Sequence, residues 1–280
     1  MKTTKIWLLI ATLLVILGMV AFGAVMFACQ WDFTKLGTTN YVTNTYTITA
    51  DFHNLSIDTD TADIVFAMSA DGSCSVVCYE AENLHHSVSV EKDTLVIQSI
   101  DQRSWKDHIG INFGSSQITL YLPQAEYFSL VIQESTGHVE IPKDFQFRDV
   151  NIYISTGNID IASSVSGNLQ LHTTTGNIRA TNLSAGSLEL SASTGKLLME
   201  HVIVSGSLCA KTDTGDIRLD ACDAETLQIQ TDTGDITGTL LSPKIFIANS
   251  DTGSVHVPQS TTGGRCEITT DTGTIKLTIE

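Results

Sequence analysis

Leu208 to Ile236 reads LCAKTDTGDIRLDACDAETLQIQTDTGDI, and the phrase Thr-Asp-Thr-Gly-Asp-Ile stands in it twice, at 212–217 and 231–236. Outward from it, a Thr-Gly pair recurs at Gly137, Gly157, Gly176, Gly195, Gly215, Gly234, Gly253 and Gly273, with gaps of 20, 19, 19, 20, 19, 19 and 20 residues. Two further pairs, at Gly238 and Gly263, fall outside this register. A period this short and steady marks a solenoid, because one coil buries its apolar face only by stacking on its neighbours. The expected fold is therefore all-β: a single-stack parallel β-solenoid with 19–20-residue coils.

Aligning the coils on glycine exposes two apolar rows. Seven, five and three residues before it stand Val150, Ile152 and Ile154, or Leu188, Leu190 and Ala192, or Leu227, Ile229 and Thr231. Two and four residues after it come Val139 and Ile141, Ile159 and Ile161, Leu197 and Met199, Ile217 and Leu219, Val255 and Val257, Ile275 and Leu277. Spacing by two places side chains on one strand face, so both strands of a coil turn an apolar row inward. A third apolar position, holding Leu183, Val202, Cys222 and Leu241, predicts a short third side. The glycine lies at the turn between the two strands, where a positive φ is expected and glycine supplies it without steric cost. Eight coils stacked at about 4.8 Å give a rod on the order of 40 Å long. A β-sandwich of hairpins explains the alternation, but not one glycine register held for eight repeats.

Ile6 to Ala28 is free of charge and almost wholly apolar, long enough for a bilayer core of about 30 Å. Lys2 and Lys5 precede it and the next cation is Lys35, which predicts an N-terminus in the cytoplasm and the remainder outside. A cleaved signal peptide has a shorter apolar region and a small-residue cleavage site, so an uncleaved anchor is the expectation. Cys29 follows Ala28 as a lipidated cysteine would, but Phe27 fits that pattern poorly. The chain divides into a cytoplasmic N-terminus (1–5), a transmembrane anchor (6–28), a juxtamembrane connector (29–45), irregular N-terminal coils or cap (46–126) and regular repeats (127–280).

With 31 acidic and 15 basic residues the formal net charge is −16, which argues against nucleic acid and against adhesion to anionic lipid. The six cysteines do not read as a disulfide framework. Cys266 and Cys222 occupy inward positions, Cys209 has outward parity, and Cys74 and Cys78 share a strand face too far apart to bridge. Between anchor and repeats, Trp31, Phe33 and Tyr41 suit either a bilayer surface or packing on the first strands. Short strands are expected at Tyr46–Ile48, Leu55–Ile57, Ile64–Met68, Ser75–Tyr79, Ser87–Val90, Thr94–Ile97 and Ile118–Leu122. Asp60-Thr61-Ala62-Asp63-Ile64 echoes the repeat with alanine for glycine, so this region reads as degenerate coils that begin the stack. Arg103 to Ser116 breaks the alternation, and Trp105, His108 and Phe113 make it a candidate partner contact or a capping loop.

The sharpest chemical candidate is an acidic ladder, Asp213, Asp232, Asp251 and Asp271, two residues before successive glycines. Stacked at about 5 Å such carboxylates repel, and a hard cation such as Ca²⁺ would relieve them. Earlier coils hold Ser135, Ser155, Thr174 and Ser193 there, so a weak cation ladder competes with exposed turn caps. Arg179, Arg218 and Lys276 share one outward register but are interrupted by Leu198, Thr237 and His256, and no continuous basic groove results. No nucleophile–base pair emerges, so neither an enzyme nor a cofactor is expected. The last strand, 274–279, is expected to leave an open edge carrying Lys276, a surface for a partner or for self-association.

The reiterated Ser-Thr-Gly-Asn-Ile and Asp-Thr-Gly-Asp-Ile units behind one N-terminal anchor resemble the bacterial putative-adhesin family of β-strand-repeat proteins, from about Thr47 to the end. The resemblance implies a β-solenoid on the outside of the cell membrane, often in Gram-positive bacteria, and carries no catalytic residues with it. The expected function is a membrane-anchored, non-enzymatic interaction, scaffold or envelope-stress protein whose partner is an envelope protein or glycan. The alternative is a carbohydrate-binding or carbohydrate-cleaving β-helix.

Overall fold

A computed structural model describes residues 2–32, 39–103 and 114–280, excluding the side chains of residues 2–4. The chain opens with one helix, α1 (Lys2–Ala28). Its span Lys5–Ala28 has a mean hydropathy of 2.7 and is long and apolar enough to cross a membrane. The helix ends in a hydrogen-bonded reversal: the Gln30 amide donates to Phe27 O, the Trp31 amide donates to Met26 O at 2.8 Å, and Gln30 has a φ of 57°. Those bonds satisfy carbonyls that the last turn would leave open.

The remainder is almost entirely strand. An N-terminal group comprises β1 (Tyr41–Ile48), β2 (Asn54–Thr61), β3 (Asp63–Met68), β4 (Cys74–Ala81), β5 (Leu84–Glu91), β6 (Thr94–Asp101) and β7 (Gln117–Leu122). The regular coils comprise β8 (Glu126–Thr136), β9 (Val139–Ile141), β10 (Gln146–Thr156), β11 (Ile159–Ile161), β12 (Ser164–Thr175), β13 (Ile178–Thr194), β14 (Leu197–Thr214), β15 (Ile217–Thr233) and β16 (Ile236–Leu240). The chain closes with β17 (Lys244–Thr252), β18 (Val255–His256), β19 (Gly264–Thr272) and β20 (Ile275–Ile279).

Pairing through the regular coils is parallel, and like residues stack on like. Ile152 pairs with Leu171, Leu171 with Leu190, Leu190 with Ala210 and Ala210 with Ile229. All five are buried, so the inward parity read from the sequence becomes one continuous apolar column. The buried Thr173, Thr212, Thr231 and Thr270 also point inward, each donating its hydroxyl to the turn-glycine carbonyl of the adjacent coil at 3.0–3.1 Å. A polar side chain is tolerated in the column because that bond satisfies it.

The third side begins at a corner not anticipated from the sequence. Asn182, His201 and Ala221 stand six residues after their glycines with φ of 53°, 52° and 50°. Leu183, Val202 and Cys222 follow them and are buried, but Leu241 is exposed. In its coil the out-of-register Gly238 pairs with Leu219, where a Cβ would stand 1.7 Å from Leu219 O. That coil is shortened, and Leu240 takes the buried place opposite Cys222.

Coil order departs from chain order at both ends. β19 lies between β15 and β17, and β20 between β16 and β18, so the last coil in the chain is inserted beneath the one before it. The expected open edge at 274–279 is thereby corrected: Lys276 sits between Thr237 and His256, and β17 and β18 form the end of the stack. Gly263 and Gly264 make the insertion possible. A Cβ at Gly263 would stand 1.8 Å from Pro243 O, and one at Gly264 1.8 Å from Glu225 O. Lys244, itself buried, pins the displaced coil by donating to Ala224 O at 2.6 Å and pairing with Asp223 at 2.6 Å. Burial works against the charge on Asp223, but Lys244 and the Ser242 hydroxyl outweigh it and hold that carboxyl below its usual range.

At the other end β2 and β3 lie between β8 and β9 on one side and β6 and β7 on the other. Beyond them the parallel rule fails. β4 pairs antiparallel with β7 and β1, and β5 antiparallel with β6. Two-residue turns at Glu82-Asn83 and Lys92-Asp93 close these hairpins, Lys92 adopting φ 58°. The expected degenerate coils are present, but an antiparallel sheet covers them.

Candidate functional site

The eight turn glycines form a stacked column. Seven of them have φ between 146° and 156°. Gly137 is the exception, its φ lying outside the left-handed range. What all eight share is contact: a Cβ at any of them would stand 1.6–2.0 Å from a backbone oxygen of the adjacent coil, a glycine's in seven cases and Ala62's at Gly137. Each position needs glycine because one backbone lies directly on another.

The residue after the glycine forms a second ladder. The Asn158 side-chain oxygen accepts the Asn177 amide at 2.8 Å, and the Asn177 oxygen accepts the Lys196 amide at 2.9 Å. Asp216 accepts from the Asp235 amide at 3.2 Å, Asp235 from the Thr274 amide at 2.7 Å, and Asp63 from the His138 amide at 3.0 Å. These short acidic and amide side chains stitch coil to coil, which the sequence reading missed because the partner lies a full coil away.

This ladder forms one wall of a shallow groove of about 600 Å³ across the second strand face, lined also by Asp160, Arg179, Leu198, Arg218 and Thr237. Arg179 and Arg218 thus share a groove, separated by Leu198 as their spacing implied. The groove's cations are paired: Lys196 with Asp216 at 2.8 Å, Arg218 with Asp220 at 2.7 Å, and Arg179 with Glu200 at 3.6 Å. Lys196 and then the Asp235 amide hold the Asp216 carboxyl below its usual range. None of the lining residues is aromatic.

Asp213, Asp232, Asp271 and Asp251 are exposed, in that spatial order because the last two coils are exchanged. Among the described residues, three metal-ligand side chains converge within 4.8 Å only at Cys78, Glu80 and His86, so the Asp ladder brings no three carboxylates together. Trp105, His108 and Phe113, as well as Phe33, lie outside the described residues. Tyr41 stacks on Tyr79 with ring centres 5.1 Å apart, whereas Trp31 is exposed. Cys74, Cys78, Cys222 and Cys266 are buried free thiols.

Residues 52–278 match the family model Toastrack DUF4097. Among solved structures, a putative adhesin from Bacteroides fragilis NCTC 9343 is 20% identical with a TM-score of 0.55, covering 86% of this chain and 99% of its own. A putative adhesin from Parabacteroides distasonis ATCC 8503 is 14% identical with a TM-score of 0.57, covering 86% and 98%. A putative lipid binding protein from the same organism is 19% identical with a TM-score of 0.51, covering 86% and 98%. At these identities the likeness shows the fold alone. No match was found among curated proteins. The family model spans most of the chain, the glycine column and both groove walls included, and the chain belongs to the Toastrack DUF4097 family.

Proposed function

We propose that this chain is a membrane-anchored, non-enzymatic interaction protein of the bacterial cell envelope, its 19–20-residue coils standing outside the membrane. The observation that carries the reading is α1. Its span Lys5–Ala28 is apolar apart from Lys5 and Thr12, and its side chains stand exposed with Met26 the buried exception, so lipid is the environment that would cover it. Lys2 and Lys5, ahead of the apolar span, support a short N-terminus in the cytoplasm. The Gram-positive assignment rests on the family resemblance. A surface role agrees with the names of the solved relatives, two putative adhesins and one putative lipid binding protein. Protease added to intact protoplasts is expected to remove the coils and spare a tag at the N-terminus. Coils that survive while a cytoplasmic tag is cut would reverse the topology.

The pairing of Lys196, Arg179 and Arg218 with neighbouring acids supports binding rather than catalysis. The same arginines flanking Leu198 favour, as a second reading, a groove that takes an acidic glycan, though without an aromatic platform.

Self-association belongs at β17 and β18, and the occupant is a second copy of this chain. Ile245 and Ile247 point outward and are exposed, where neighbouring coils carry Thr226, Gln228, Arg265 and Glu267. Phe246, Ala248 and Val257 on the inward side are only partly buried because, among the described residues, no coil covers them on the side away from β19 and β20. An antiparallel two-fold pairing centred on Phe246 sets Ile245 against Ile247 on the outer face and joins the two cores end to end. Light scattering on the detergent-solubilised chain is expected to show a dimer, and Ile247→Lys a monomer that still melts cooperatively. A wild-type monomer at high concentration, or a dimer unchanged by Ile247→Lys, would move the contact elsewhere.

A further inference from the structure

We propose that the antiparallel cap binds a zinc ion through Cys78, Glu80 and His86. The three side chains come from two strands joined by a hairpin. Cys78 and Glu80 lie two apart on one face of β4, and the Glu82-Asn83 turn brings His86 of β5 beside them. Their ligand atoms all lie within 4.8 Å of one another, compatible with one ion among them. All three are buried, Cys78 and Glu80 at 0% exposure and His86 at 2%.

The inward row of β4 runs Cys74, Val76, Cys78, Glu80. A carboxylate at the end of such a row is costly unless its charge is met. The surrounding bonds orient it for a ligand role. Asn44 Nδ2 donates to Glu80 Oε1 at 2.6 Å, and the His86 amide donates to Oε2 at 2.7 Å. The His86 ring Nδ1 stands 2.6 Å from the same Oε2, and Tyr46 holds the His86 backbone by donating to its carbonyl at 2.8 Å. Conserving such orientation is what outer partners do for metal ligands.

The thiol is the member that a simple Glu–His pair does not explain. Burial pushes Cys78 up to about 12, and the neighbouring Glu80 charge adds to the shift. A divalent cation between them inverts that relation: thiolate, carboxylate and neutral imidazole sum with Zn²⁺ to zero net charge. On binding, the Cys78 proton leaves to solvent, as does any proton held between His86 and Glu80. Sulfur, nitrogen and oxygen together select zinc over calcium or magnesium, which take oxygen alone. Three protein ligands are the number zinc takes when its fourth position is left to water.

The test uses the full chain, extracted in detergent and purified without chelator or metal-affinity resin. Elemental analysis is expected to find stoichiometric zinc. With zinc held about 100-fold above its dissociation constant, the melting midpoint is expected to rise by about 5–10 °C over the chelator-treated chain. Cobalt replacing zinc should give a thiolate-to-metal charge-transfer band, lost in Cys78→Ser and kept in Cys209→Ser. Should Cys78→Ser fail to fold, the wild-type cobalt spectrum and melting shift decide. A folded wild-type chain with no bound zinc, no melting shift and no charge-transfer band overturns the site and leaves a hydrogen-bonded Glu80–His86 pair.

Discussion

Gly215→Val is expected to destabilise the solenoid by about 3 kcal/mol or more, combining an unfavourable backbone region with an overpacked contact. The backbone term comes from a φ of 156°, and the contact term from a Cβ placed 1.9 Å from Gly195 O. The stack cannot relax around it, because the Gly215 amide also donates to Thr233 O at 2.9 Å and Thr231 caps the Gly215 carbonyl. Coils on both sides would have to part. Gly72 provides the comparison: it has φ 76° but nothing within 4 Å of a built Cβ. Gly72→Ala is expected to cost only about 1 kcal/mol, the penalty of a left-handed residue. Urea melts of the two variants separate the terms. Equal losses would mean that backbone conformation alone, rather than coil-on-coil contact, requires the glycine.

Glu134→Gln is expected to stabilise the chain at pH 8 and to have little effect at pH 4. Glu134 occupies the inward place that holds threonine in several other coils, and it is buried. Burial pushes its carboxyl up to about 8, and the Ala62 amide, which donates to it, opposes that shift while Asp63 adds to it. One oxygen accepts the Ala62 amide at 3.0 Å, while Oε2 and the nearby Thr59 hydroxyl make no hydrogen bond. In the unfolded chain this carboxyl ionises near 4.5. Below that pH both states hold the proton and there is no penalty. Between 4.5 and about 8 the unfolded chain releases its proton and the folded chain keeps it, so stability falls as pH rises. The full penalty above pH 8 is about 5 kcal/mol. Glutamine still accepts from Ala62 and has no charge to bury. The variant-minus-wild-type difference in unfolding free energy, followed from pH 4 to 9, should therefore grow with pH. A flat difference would show that Glu134 ionises freely in the fold.

Much of the architecture was legible because it is written with short periods. Alternation by two set which face Ile152, Leu190 and Ile229 turn inward, and all are buried in one column. The Thr-Gly period identified the stacking unit, since a side chain cannot fit where one backbone lies on the next. The helix 2–28 and the strands of the irregular region were equally local signals. The left-handed corners at Asn182, His201 and Ala221 were not, because three unlike side chains share one backbone conformation without a common residue type.

What only the tertiary structure decided is which coil meets which. Every coil offers the same edge of amides and carbonyls, so Gly234 bonds Thr272 as readily as it would Thr252. The choice is made by burial. Cys266, Ile268, Ile275 and Leu277 are covered on both sides, leaving Phe246, Ala248 and the exposed Ile245 and Ile247 at the end. The Gly263-Gly264 pair lets the last coil pass between Pro243 and Glu225. The same holds for the groove ladder and for Cys78, Glu80 and His86, whose meeting depends on a hairpin turn and on register across strands. Sequence by itself determined the unit and its inward face, because these follow from neighbours a few residues away. The order of units, the open end and the clusters between strands follow from contacts a coil or more apart, where many pairings are chemically alike and packing alone separates them.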